Sequence, residues 1–151
     1  MPSIDAIDRT LINRIQTSFP IHPRPFEIIA KDLGLTQSDV INRINRLKDR
    51  GIIRRIGGNF SPDRLGYTST LCAASVPEEK VELFTAIVNS YSGVTHNYLR
   101  ENAYNIWFTF IATTREEIET NLEEISVRTG IKDILNLPAT HVFKISAQFK
   151  V

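Results

Sequence analysis

Apolar positions near the start of the chain recur with helical spacing. Ile4, Ile7, Leu11, Ile15 and Phe19 fall on one face of "IDAIDRTLINRIQTSF". Pro20, Pro23 and Pro25 break that pattern. Pro25 suits the first turn of a second helix, "PFEIIAKDLG", and Gly34 suits its end. Thr36 with Asp39 three residues on forms a capping-box-like start to a third helix, which puts Val40, Ile44 and Leu47 on one face and stops at Gly51. "IIRRIGGNF" follows as a short β segment. Three helices and a β wing, with a tight turn at Gly34-Leu35, predict a winged helix-turn-helix over residues 1–58.

"NFSPDRLGY" reads as a linker, set at 59–68. Beyond it the pattern predicts a strand at 69–76, a helix at 78–91, strands at 94–101 and 104–112, a helix at 114–129 and β structure over 133–150. Pro77 and the acids after it start the first of these helices, and Gly93 and Gly130 follow the helix ends. The order β-α-β-β-α-β predicts a ferredoxin-like α+β domain over 69–151, with helices on one sheet face and the other face open.

The run "THNYLRENAYNIWFTF" (95–110) bears most on chemistry. With "ENAY" as the turn, Arg100 lies opposite Asn105, Tyr98 opposite Trp107 and His96 opposite Thr109. Alternation then gives one apolar face of Leu99, Ile106, Phe108 and Phe110. The other face collects His96, Tyr98, Arg100, Asn105, Trp107 and Thr109. A slip of one residue would destroy this sorting. Spacing leaves two readings of the polar-aromatic face. One is a solvated or subunit-pairing surface, since Tyr, Trp and Arg are enriched in interfaces. The other is a ligand wall, with Arg100 for a carboxylate, His96 for iron or a proton, and Tyr98 and Trp107 for a flat ligand.

Composition adds exclusions. The 151 residues are 42% hydrophobic and 23% charged, as in ordinary globular proteins. No apolar run approaches the roughly 20 residues of a membrane span, and the N-terminus carries no signal-peptide pattern, so a cytoplasmic protein is expected. A single cysteine, Cys72, excludes an internal disulfide and reads as a core residue. The net charge of +1 conceals an asymmetry: residues 1–58 hold ten Lys/Arg against six Asp/Glu, and the remainder eight against eleven. Arg43, Arg46 and Arg50 form a basic stripe on the third helix, either phosphate-contacting or merely solvated. The base-reading half of such a helix here holds Gln37, Ser38 and Asp39, and Asp39 would repel phosphates, so DNA is not the expected partner.

The two-domain plan resembles the Lrp/AsnC transcription regulators over nearly the whole chain. "THNYLRENAYNIWFT", "GIIRRIGGNF", "LGY" and "LPATHVFKI" resemble more specifically the sirohaem decarboxylase subunits of the alternative haem and haem d1 pathways. That resemblance implies an enzyme that removes carboxyl groups from the acetate side chains at ring carbons 12 and 18 of sirohaem, giving 12,18-didecarboxysirohaem. It implies no separate cofactor, because the iron arrives with the tetrapyrrole substrate. It also implies a homologous second subunit, as a heterodimer, or a homo-oligomer. The alternative is an Lrp/AsnC-type regulator whose second domain senses a ligand.

Under the resemblance, the catalytic candidates are His96, Tyr98 and Arg100. His96 serves as axial iron ligand or general acid, Arg100 as carboxylate clamp and Tyr98 as proton donor or packing residue. Tyr104, Asn105 and Trp107 shape the substrate pocket. His141, beside the expected final strand, is a candidate second histidine or an ordinary surface residue. Asn97 points to the opposite face by the register, and His22, between prolines, reads as structural. Lys144 and Lys150 can add positive charge, though no spacing requires it. The acid-rich "REEIETNLEEI" is a solvated helix face. No phosphate loop, metal-ligand spacing or nucleophile triad is present.

Overall fold

The computed structural model describes residues 4–58, 60–145 and 148–151. Two compact units divide the chain: residues 1–58 with 144–151, and residues 59–143.

In the first unit, α1 (Ala6–Thr17) starts at Asp5, whose carboxylate accepts from the Asp8 N–H at 2.7 Å while Asp8 returns the bond to the Asp5 N–H. Pro25 opens α2 (Pro25–Leu33), which ends at Gly34 in the left-handed conformation. Thr36 and Asp39 form the expected reciprocal cap of α3 (Gln37–Asp49). Leu11, Ile29, Val40 and Ile44 make one buried cluster, and Ile12, Leu47 and Ile53 a second. Ile7, expected inward, is 40% exposed, whereas Asp8 is 1% exposed. The expected β wing forms no ladder among the described residues. Its chain has no regular secondary structure from Ile53 to Ile56, with Ile53 buried and Ile56 packed on the helices.

The end of the chain departs from the expected boundary. Residues 144–151 belong with the first unit, not the second. The Gln16 amide exchanges two hydrogen bonds with the Phe149 backbone, at 3.0 and 2.9 Å. The Asn13 amide does the same with Val151, at 3.0 and 3.3 Å. Residues 149 and 151 are bonded on one side, as in a strand, but their neighbour is a helix.

The second unit has four antiparallel-paired strands in the order β2-β3-β1-β4: β1 (Thr68–Ala74), β2 (Val94–Leu99), β3 (Ile106–Ala112) and β4 (Ile134–Leu137). Two helices, α4 (Val81–Asn89) and α5 (Arg115–Thr129), supply the other half of its core. Burial alternates along β3, and Ile106, Phe108 and Phe110 join Phe84, Val88, Ile118 and Ile125 in that core. This is the expected α+β sandwich with one sheet face open. β4 stops before Pro138, so among the described residues the β structure expected over 133–150 is limited to four paired residues. No described helix is long and apolar enough to cross a membrane.

Candidate functional site

The β2–β3 hairpin carries the site residues in the expected register. Tyr98 pairs with Trp107 and His96 with Thr109. The Arg100 N–H donates to the Asn105 carbonyl at 2.7 Å, which closes the hairpin before a loop over 101–104. The register shifts between Val94 and His96, leaving Thr95 as an extra residue on β2.

On the open face, the His96 and Tyr98 rings stack with centroids 6.1 Å apart and planes 25° apart. The Arg100 guanidinium carbon lies 5.7 Å from the Trp107 ring centroid, a cation–π contact. Among the described residues, Arg100 has no carboxylate within 4 Å. Tyr98 is 50% exposed. Leu71 and Leu137 pair across β1 and β4 and add exposed apolar surface to the same face. The result is an aromatic and aliphatic platform with an uncommitted cation. The His96 Nδ1 sits 3.1 Å from the Thr95 hydroxyl and 3.4 Å from that of Thr109. Its Nε2 makes no hydrogen bond to a described residue.

Other predicted residues hold the loop rather than line the face. The Trp107 indole N–H donates to the Tyr104 carbonyl at 2.7 Å. The Tyr104 hydroxyl donates to Asp133 at 3.0 Å, and this bond holds the phenol pKa above its usual value. Both ends of the Asn105 amide are taken by the Val76 backbone, at 2.8 and 2.9 Å. Asn105, expected on the open face, therefore ties the loop to the end of β1. Asn97 pairs with core-side Phe108 and donates to Asn89 at 3.0 Å, on the opposite face as the register predicts. His141 lies beyond the end of β4, exposed, with its ring 4.6 Å from that of Phe143. Cys72 is fully buried in the core, and burial pushes its thiol up to about 12.

Sequence reasoning missed Thr95, Asp133, Leu71 and Leu137. A cavity of about 330 Å³ at the end of the hairpin, lined by Tyr67, Tyr91, Thr95 and Ile111, was also unforeseen. Its lining, which includes Glu117 and Asn121 of α5, shares only Thr95 with the cluster around His96.

In the first unit, Arg43 contacts Asp5 and Asp8, both at 2.6 Å, and Arg46 contacts Asp8 at 2.8 Å. These pairs raise the Arg43 pKa and lower that of Asp5. Arg43 and Arg46, which could have met phosphates, are thus engaged within the unit.

The helix-turn-helix unit and the four-stranded α+β unit define the AsnC-like class. Residues 64–144 match the AsnC-like ligand binding domain. Residues 8–54 match the siroheme decarboxylase NirDL-like HTH domain. The chain is 51% identical to the siroheme decarboxylase alpha subunit of Oleidesulfovibrio alaskensis, over 98% of this chain and 90% of that one. It is 39% identical to the siroheme decarboxylase NirD subunit of Stutzerimonas stutzeri, over 97% and 95% respectively. The crystal structure of the siroheme decarboxylase NirDL in co-complex with an iron-uroporphyrin III analogue superposes with a TM-score of 0.68 at 28% identity, covering 96% of this chain and 48% of that one. The chain belongs to the siroheme decarboxylase subunit family.

Proposed function

We propose that the chain is an alpha-type sirohaem decarboxylase subunit, acting on the acetate side chains at ring carbons 12 and 18. It is a carbon–carbon lyase: each acetate loses CO₂ and takes one proton, leaving a methyl group. The identity of 51% to an alpha subunit, against 39% to a NirD subunit, favours the alpha type. Those subunit names also favour a homologous second subunit as partner.

The observation that carries this reading is the open face itself, where an uncommitted Arg100 stands beside His96, Tyr98 and Trp107. A tetrapyrrole ringed by carboxylates requires a flat apolar platform and a cation. Arg100 binds a carboxylate. Tyr98 and Trp107 face the macrocycle. His96 offers Nε2, either to the substrate iron or as the proton source for the new methyl group. Tyr104 and Asn105 hold the loop that carries Arg100. His141 remains a candidate substrate contact on the exposed segment after β4. The iron comes with the substrate, and no separate cofactor is required.

Anaerobic incubation with sirohaem, alone and with the second subunit, followed by mass spectrometry, tests this. Loss of two CO₂ is expected. Unchanged sirohaem, together with specific retardation of DNA fragments at moderate salt, would establish the regulator reading instead.

A further inference from the structure

The β-bulge in β2 puts two neighbouring residues, Thr95 and His96, on one face of the sheet, which strand alternation alone would not allow. Val94 pairs with Phe110 and packs on the core, and His96 pairs with Thr109 on the open face. Only one residue step separates Phe110 from Thr109, whereas two separate Val94 from His96. Thr95 and His96 therefore share Thr109 as their partner. In an unbroken ladder Thr95 would itself pair with Thr109, and His96 would pass to the core side opposite Phe108. The bulge thus brings the Thr95 hydroxyl and the His96 ring together on one face.

The contacts are those of a small closed set. The Thr95 hydroxyl lies 2.7 Å from the Thr109 hydroxyl and 3.1 Å from His96 Nδ1, and Thr109 lies 3.4 Å from the same nitrogen. Each hydroxyl both donates and accepts. With Nδ1 bare, Thr109 donates to Thr95 and Thr95 donates to Nδ1. With Nδ1 protonated, the ring donates to Thr95 and Thr95 donates to Thr109. The same two side chains serve either state of Nδ1, and in the second the Nδ1–H bond to Thr95 persists while Nε2 gains or loses its proton. Tyr98, stacked on the ring, supplies no hydrogen bond to it.

We propose that Thr95 is a positioning residue for His96. Placed by the bulge, it holds the imidazole through Nδ1 so that Nε2 faces the ligand, and Thr109 completes the set. The consequence for turnover rests on the decarboxylase reading, but the consequence for the ring does not.

The test uses Thr95→Val, which keeps the branched shape without the hydroxyl, Thr95→Ser, which keeps the hydroxyl, and Thr109→Val. Nitrogen-15 NMR of the imidazole in the substrate-free protein reads the Nδ1 hydrogen bond directly. Thr95→Val should move the His96 Nδ1 resonance and lower kcat roughly tenfold with KM little changed, in line with the effect of groups that fix a functional histidine. Thr95→Ser should restore both. Thr109→Val, which leaves the shorter contact in place, should lower kcat less. An unmoved Nδ1 resonance in Thr95→Val overturns the proposal even if sirohaem is decarboxylated. A moved resonance in a protein that leaves sirohaem unchanged supports the positioning role and refutes the enzyme reading alone.

Discussion

Arg43 reaches Asp8, a carboxylate that is 1% exposed, at 2.6 Å across the α1–α3 contact. Asp8 occupies an inward position on α1 and also returns the helix cap to Asp5. Two guanidinium groups and a cap compensate one buried charge. Removing one member of a buried pair typically costs about 3 kcal/mol or more. Asp8→Ala leaves behind arginines that are 21% and 48% exposed rather than a buried unpaired charge, so it is expected to cost less, about 1.5–3 kcal/mol of unfolding free energy. Urea titration of the variant tests this, and a loss indistinguishable from that of a surface carboxylate would show that the pair contributes nothing.

Arg100 has no ion-pair partner among the described residues, and its guanidinium lies over the ring of Trp107. Its removal should cost ligand binding and leave the fold intact. A hydrogen bond to a charged group is worth about 1.5–3 kcal/mol, so Arg100→Ala should weaken sirohaem affinity roughly tenfold to a hundredfold. Arg100→Lys should recover only part of that, because the planar fork is lost. Equilibrium titration of the Soret absorbance measures both. Unchanged affinity in Arg100→Ala would move the carboxylate clamp elsewhere.

The β2–β3 register was legible in residue types because a single pairing puts Ile106, Phe108 and Phe110 together on one face. The bulge was not, since it is the point where alternation fails. Asn105 looked like a site residue because alternation assigns a face but not a hydrogen-bond partner, and Val76 lies 29 positions away. Asp133 escaped for the same reason, 29 positions from Tyr104. The tail misled more instructively. Phe143, Ile145, Phe149 and Val151 alternate with polar residues, the pattern of a strand. At 149 and 151 the backbone does bond on one side as a strand would, but to amides on α1.

Tyr104 gains a hydrogen bond to Asp133 that favours its neutral form, so its folded pKa lies above the unfolded value of about 10. The stabilisation is fully present below the unfolded pKa and is lost as pH rises through the folded one. Thermal melting of the wild type should therefore fall more steeply above about pH 10 than that of Tyr104→Phe, which has nothing to ionise there. Parallel melting curves across that window would remove the loop's dependence on this bond.

Gly93 lies where β2 approaches β3, with its carbonyl accepting from the Ile111 N–H at 2.8 Å. A Cβ at this position would meet the Ile111 carbonyl oxygen and, at 2.9 Å, the ring of Phe110. The first is backbone and the second is core, so neither can yield cheaply. Gly93→Ala should destabilise by about 1–3 kcal/mol, the usual cost of overpacking. Differential scanning calorimetry would register it, and an unchanged melting temperature would show that the strand edge is free to shift.

Asn13 and Gln16 stand one turn apart on α1 and each grips one residue of the tail through both ends of its amide. These bonds involve only the backbone of Phe149 and Val151, so they hold an extended chain whatever its side chains. They are exposed, and each contributes little to global stability. The double substitution Asn13→Ala and Gln16→Ala should release the tail while leaving the helices folded. Hydrogen exchange read by mass spectrometry should then show the Phe149 and Val151 amides losing protection, with α1 and α3 unchanged. Gln16→Glu should fall between, because a carboxylate still accepts from the Phe149 N–H but can no longer donate to its carbonyl. Equal protection in all three proteins would mean that the side-chain amides do not hold the tail.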